Sequence, residues 1–226
     1  SLRKIIEENK LKIPHNLPSI ACGLFGYLGY EMIKYFENVK MNKKDKLNLP
    51  ESIFIRPSLT LVFDNVNDKL YISKIISPSK KNALETFKLA KSEIYNLIQK
   101  IARPLKKNNL NLHNLSSKVN IFKNVKSNTT YSEFKKIVEK AKKYIFEGEI
   151  FQVVLSRLFK AKIKSSPVSI YRALRHLNPS PYLFFMNFKN FVIVGSSPEI
   201  LIKLEGDKVT IRPIAGPRKR GKTKPE

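Results

Sequence analysis

Between Tyr182 and Arg212 four short segments rich in apolar residues follow one another: Tyr182 to Asn187, Phe191 to Gly195, Ile200 to Glu205 and Lys208 to Arg212. Only turn signals separate them, at Lys189-Asn190, Ser196-Ser197-Pro198 and Gly206-Asp207. Parallel neighbours need a long crossover between them, so connections this short predict consecutive antiparallel strands. Helical periodicity elsewhere completes the expected fold class: α+β, antiparallel sheets with helices packed outside.

The helices of the second half are the most legible. Thr130 with Glu133 three residues later is a capping box, in which the hydroxyl accepts an orphan helix amide and the carboxylate reaches back to the cap. Phe134, Ile137, Val138, Ala141, Tyr144 and Ile145 form the apolar stripe that follows, and Gly148 supplies a left-handed stop. The run from Ile150 to Phe159 is almost wholly apolar, which predicts a strand buried on both faces at the centre of its sheet. Gln152 is the polar anomaly within it. Ser166-Pro167 opens a shorter helix through Leu177, and Asn178-Pro179-Ser180-Pro181 ends it in a proline-set turn.

The first half opens with a short amphipathic stretch, Leu2 to Ile6, and continues to glycines at every third position, Gly23, Gly26 and Gly29. That spacing is neither a dinucleotide fingerprint nor a Walker A loop; it reads as close backbone approach at a strand-to-helix corner. Leu59 to Phe63 and Leu70 to Ile76 flank Asp64-Asn65-Val66-Asn67-Asp68 and read as a hairpin. Ser77-Pro78-Ser79 is expected to start a helix whose Leu84, Phe87, Ile94, Leu97, Ile98 and Ile101 face a core. Ala102 to Thr130 is polar and Asn/Lys/Ser-rich. The organisation expected is a region 1–101, a linker 102–130 and a region 131–226. The residues after Gly216 are basic and turn-like and add no closing element, so the chain reads as a piece of a longer one.

Charge narrows the partners. Among 226 residues, 43 Lys and Arg against 18 Asp and Glu give a net charge of +25. Counterion release on a phosphate lattice would reward such a surplus. The lysines, however, are scattered over helix faces and turns without a stripe of stacking aromatics, and they outnumber the arginines that read base edges. A solvated background of lysines is the reading taken, with no nucleic-acid partner; a basic field would also attract a small polyanionic substrate. The lone Cys22 excludes an internal disulfide framework and fits a reducing, cytoplasmic setting. No apolar run reaches the roughly 18 residues of a membrane helix, so no membrane partner is expected.

Few residues stand out as chemistry. Glu199 follows Ser197-Pro198 and is flanked by apolar residues, a setting that disfavours the ionised form and suits a general acid. A Glu at a strand start is also commonly a solvent-facing residue, and a strand Gln such as Gln152 commonly serves only to satisfy backbone groups. His15, His113 and His176 have no mutual spacing for a metal or a triad. Ala215 and Gly216 lie in a tight segment after Arg212-Pro213.

Taken together, four segments carry a resemblance. They are Gly148-Glu149-Ile150-Phe151-Gln152-Val153-Val154-Leu155-Ser156-Arg157, Asn178-Pro179-Ser180-Pro181-Tyr182-Leu183-Phe184, Val194-Gly195-Ser196-Ser197-Pro198-Glu199 and Arg212-Pro213-Ile214-Ala215-Gly216. In order and spacing they resemble successive signatures of the chorismate-binding enzymes, within them the anthranilate-forming branch, and the Gly23 to Glu31 segment resembles the amino-terminal half of the same proteins. The resemblance covers nearly the whole chain, whereas the chain covers about the middle half of such a protein.

The resemblance implies roles. Relatives that add water to chorismate carry a lysine base where this chain has Gln152, and those that make aminodeoxychorismate carry a lysine nucleophile where it has Ala215. Lacking both amines, the site is expected to use ammonia, delivered by a glutamine amidotransferase subunit, with chorismate as substrate. Glu199 matches the general acid for the departing C4 hydroxyl. Gly216 and Pro217 match substrate contacts, although the family usually has Thr where Pro217 stands, and proline removes a hydroxyl and an N–H. Asn178, Ser180, Pro181, Tyr182 and Leu183 match part of a feedback site for L-tryptophan. Mg²⁺ is implied as cofactor, with ligands that match no residue of this chain. A lone fragment is expected to be nearly inactive and prone to associate through unpaired strand edges.

Overall fold

The computed structural model describes residues 2–40, 47–77, 82–104, 124–163 and 165–213. The chain divides into two compact units, Ser1–His113 and Asn114–Glu226.

In the first unit, helix α1 (Leu2–Glu8) and a single 3-10 turn at Ser19–Ala21 precede β1 (Phe25–Leu28), which pairs antiparallel with β2 (Ser52–Ile55). A second 3-10 turn covers Tyr30–Tyr35. Gly26 lies opposite Phe54, and a Cβ placed on it would sit 1.8 Å from the Ile53 carbonyl oxygen. The expected close approach of backbones is therefore real at this glycine. Strands β3 (Leu59–Asp64) and β4 (Lys69–Lys74) form the expected hairpin in continuous register. Its turn is built by Asp64, whose Oδ1 accepts the amides of Val66 at 3.1 Å and Asn67 at 3.0 Å. The Asn67 side chain, which donates to Oδ2 at 2.8 Å, and then the Asn67 amide hold the Asp64 carboxyl below the ordinary aspartate range. Ala21 is fully buried over this hairpin, and the buried Ser73 hydroxyl donates to its carbonyl at 2.7 Å.

Helix α2 (Ala83–Ala102) starts later than expected. Its cap is Asn82, whose side chain accepts the Leu84 amide at 2.8 Å, and Pro78 and Ser79 lie outside the described residues. The expected core stripe is also displaced. Thr86, Ala90, Ile94 and Leu97 are the residues with reduced exposure, whereas Leu84, Phe87, Ile98 and Ile101 are exposed. The helix packs against β4 of a hairpin only two strands wide, and so narrow a surface covers one thin strip of a helix.

The second unit begins with β5 (Lys126–Ser127), paired with β6 (Phe159–Lys160) so that Lys126 stands directly opposite Lys160. Helix α3 (Tyr131–Phe146) carries the expected capping box. Thr130 Oγ1 accepts the Glu133 amide at 3.2 Å, and the Thr130 amide donates to Glu133 Oε2 at 2.8 Å. Gly148 has φ of +77°, and the Glu149 amide closes onto the Tyr144 carbonyl at 3.0 Å. Of the apolar stripe, Phe134, Val138 and Ala141 are half-buried, while Ile137, Tyr144 and Ile145 remain exposed.

Helix α4 (Pro167–Leu177) has Pro167 in its first turn and Ser166 as cap, with Oγ accepting the Ser169 amide at 3.2 Å. It packs on the hairpin of β7 (Tyr182–Asn187) and β8 (Val192–Ser197), with Tyr171 and Phe185 ring centroids 5.7 Å apart. Strands β9 (Ile200–Glu205) and β10 (Lys208–Arg212) form another hairpin.

Two expectations are corrected here. Ile150 to Phe159 is not a strand except at Phe159–Lys160; residues 151–156 are irregular, with Phe151 101% exposed and Val154 82% exposed. A strand buried on both faces needs partners at both edges and a layer on each side, and the described residues supply neither. Nor does β8 pair with β9. Pro198 has no N–H to give a ladder, and Ser197 Oγ takes the Glu199 amide instead, so the chain bends out of the sheet. The α+β class with antiparallel pairs stands.

Candidate functional site

The end of α4 and one end of the β7–β8 hairpin bring two of the sequence-nominated segments together. Asn178 caps α4, its amide donating to the Leu174 carbonyl at 2.9 Å. Ser196 Oγ donates to the Asn178 carbonyl at 2.8 Å, and the Ser180 hydroxyl donates to the Ser197 carbonyl. Ser180 Oγ in turn accepts the Tyr182 amide at 3.3 Å. Tyr182 pairs with Ser197 and Leu183 with Ser196 across the hairpin. Thus the turn 178–183 and the segment 195–199 form one hydrogen-bonded unit. Asn178, Pro181 and Tyr182 are exposed, while Ser180 and Leu183 are half-buried.

Glu199 extends from that unit. Its amide donates to Ser197 Oγ at 3.3 Å and its carbonyl accepts from the same hydroxyl at 3.4 Å, which fixes the backbone that presents the carboxylate. The residue is exposed, so the apolar surroundings expected of it are not built by the described residues. Gln152 is exposed as well, on the irregular run. Among the described residues both side chains are open to solvent, and the run 151–156 joins no sheet. Ala215, Gly216 and Pro217 lie outside the described residues.

One residue whose part sequence reasoning missed is Arg157. Its guanidinium carbon lies 4.9 Å from the Phe134 ring centroid and 5.0 Å from that of Phe159. Nη2 donates to the Thr129 carbonyl at 2.9 Å and to Ser127 Oγ at 3.2 Å, while Nε is buried with no partner among the described residues. Beside it, Asn128 Oδ1 accepts the Leu158 amide at 2.9 Å, and the Asn128 amide donates to the Leu158 carbonyl at 3.0 Å. Arginine stacked between two aromatic rings gains both packing and electrostatic attraction. The signal in the sequence was an arginine two residues before Phe159 at the end of an apolar run.

Other chemistry is sparse. Among the described residues no group of three or more His, Cys, Asp or Glu could hold a metal ion, so the donor set does not fit Mg²⁺ and no step is derived through it. No helix among them is long and apolar enough to cross a membrane. A cavity of about 530 Å³ in the first unit, walled by Leu2, Ile6, Leu11, Leu24 and Phe54, contains none of the nominated residues.

Comparison with known proteins decides the family. The chorismate binding enzyme family matches residues 1–226, the whole sequence. The chain belongs to the chorismate binding enzymes. Among curated relatives, anthranilate synthase component 1 of Cereibacter sphaeroides is 38% identical over 226 residues, spanning all of this chain and 44% of the relative. The protein of the same name from Aquifex aeolicus is 39% identical over 230 residues, covering 100% of this chain and 45% of its own length. The crystal structure of anthranilate synthase component I from Streptococcus pneumoniae superposes with a TM-score of 0.73 at 25% identity, over 91% of this chain and 45% of that one. This chorismate binding enzyme chain therefore spans less than half the length of the relatives it matches. Over the matched region the Streptococcus pneumoniae structure shares the α+β fold described above.

Proposed function

We propose that this chain is part of an anthranilate synthase component 1, acting in the formation of anthranilate and pyruvate from chorismate and ammonia. The observation that carries the reading is the 38–39% identity, across the entire sequence, to relatives bearing that name. In this reading ammonia attacks C2 of chorismate, and the C4 hydroxyl leaves as water with a proton from Glu199. Loss of the enolpyruvyl group as pyruvate then yields the aromatic ring. Hydroxide is too poor a leaving group to depart unaided, which is why an acid is required. Gln152 and Ala215 offer no amine to activate water or attack the ring, leaving an external nitrogen as nucleophile. A glutaminase subunit supplies that ammonia, and Gly216 and Pro217 contact the substrate. L-Tryptophan binds at Asn178, Ser180, Pro181, Tyr182 and Leu183 as feedback inhibitor, and the reaction takes place in the cytoplasm with Mg²⁺ held by residues of the complete enzyme. The chain alone has little activity, since acid, metal and substrate clamp act as a unit.

A chimera tests this directly. The 226 residues replace the matching region of the Aquifex aeolicus relative, and product is followed by anthranilate fluorescence with chorismate and ammonium. Ammonia-dependent anthranilate is expected, falling at least about 100-fold in Glu199→Gln, the range of general acid catalysis. A folded chimera that instead releases isochorismate or aminodeoxychorismate, or is indifferent to Glu199→Gln, contradicts the reading.

A further inference from the structure

The hydroxyl of Ser180 bridges the last rung of the β7–β8 hairpin. Its oxygen accepts the Tyr182 amide at 3.3 Å, and its proton goes to the carbonyl of Ser197, the residue opposite Tyr182 in the register. A serine hydroxyl has one proton to give, and this one is given to the main chain just ahead of Glu199. Ser180 is itself held in place. It is half-buried and stands between Pro179 and Pro181, whose rings fix φ on either side of it.

Ser197 passes the constraint on. Its Oγ accepts the Glu199 amide at 3.3 Å and donates to the Glu199 carbonyl at 3.4 Å. Pro198 lies between the two with a fixed φ and no N–H, so the step from Ser197 to Glu199 has few alternative paths. Upstream the strand is pinned as well. The Phe184 ring covers Gly195 so closely that a Cβ there would sit 2.1 Å from Cζ, and Ser196 Oγ donates to the Asn178 carbonyl at 2.8 Å. The Ser197–Pro198 peptide plane is then the joint that sets where Glu199 points, and its oxygen is the atom that Ser180 holds.

We propose that Ser180 is a positioning residue for Glu199, acting through the Ser197 carbonyl. The inference rests on the reading of Glu199 as proton donor given above. A general acid must lie within hydrogen-bond reach of the oxygen it protonates, and a misplacement of about 1 Å can cost about 100-fold in rate. Ser180 belongs to the turn after α4, so a side chain remote in sequence fixes the aim of the acid.

The chimera described above carries the test. Ser180→Ala is expected to lower kcat for ammonia-dependent anthranilate formation about tenfold, with KM for chorismate changed by less than about twofold. Ser180→Thr, which returns the hydroxyl and suits the extended backbone before a proline, is expected to restore kcat. In a Glu199→Gln background Ser180→Ala should cost nothing further, because no acid remains to be aimed; a general weakening of the structure would instead multiply the two losses. Hydrogen exchange at the Glu199 amide of the same chimera should quicken at least about fivefold in Ser180→Ala, the opening that one lost hydrogen bond allows. If circular dichroism shows Ser180→Ala to be unfolded, Ser180→Cys, close in shape and a weak donor, takes its place. Unchanged kcat, losses that multiply, no rescue by Ser180→Thr, or unchanged exchange at Glu199 would overturn the proposal. Should Glu199→Gln leave turnover intact, the proposed function falls, and the exchange rate alone then decides whether Ser180 positions Glu199.

Discussion

The β7–β8 and β9–β10 hairpins are both antiparallel pairs of short strands carrying apolar residues, yet they fare differently. Every residue of β8 is at least half-buried, because α4 lies on that hairpin and places Tyr171 against Phe185. In β9–β10 only Ile200 and Thr210 have reduced exposure, and Leu201 is 89% exposed. Strand pairing alone satisfies backbone groups; it does not remove side chains from water. A covering layer does that, and it is the layer that turns an apolar pattern into stabilisation.

Mutations that touch the covering layer should separate the two hairpins most. Phe185→Ala removes the ring that meets Tyr171 and is expected to cost about 2 kcal/mol in urea unfolding of the second unit, a half-buried share of the usual loss for a core Phe. A smaller effect is expected at α3, whose cap is local to one helix. Thr130→Ala should cost about 1 kcal/mol, read as lost helicity. Acid should act on the same cap. The Thr130 amide and then its hydroxyl hold the Glu133 carboxyl below the ordinary glutamate range, so this contribution is complete above that range and is lost as pH falls through the lowered value. Glu133→Gln should flatten that acid limb of the helix titration. The smallest effect belongs to the bare hairpin: Leu201→Ser should change stability by no more than about 0.5 kcal/mol. A large loss at Leu201 would mean that β9–β10 is covered after all and would erase the contrast.

What the sequence announced follows the same division. The capping box at Thr130, the stop at Gly148, the Ser166-Pro167 helix start and the Asp64 turn were legible because each is settled within a few residues. The apolar runs were legible as pattern but not as burial. Ile150 to Phe159 has the composition of a central strand, and Leu84 and Phe87 have helical spacing, but what would bury them is not local. For the candidate site, the link between the turn 178–183 and the segment 195–199 rests on Ser180, Ser196 and Ser197, small hydroxyls with no distinctive spacing. The exposure of Gln152 and Glu199 depends on neighbours far away in sequence or absent from the described residues.

The narrow ribbon of β5 and β6 sets two positively charged residues, Lys126 and Lys160, directly opposite one another in its register. Such a pair works against its own pairing in dilute buffer and relaxes when mobile ions crowd between the charges. Ionic strength thus becomes a tuning knob for the ribbon that carries Phe159, and through it for the grip on Arg157.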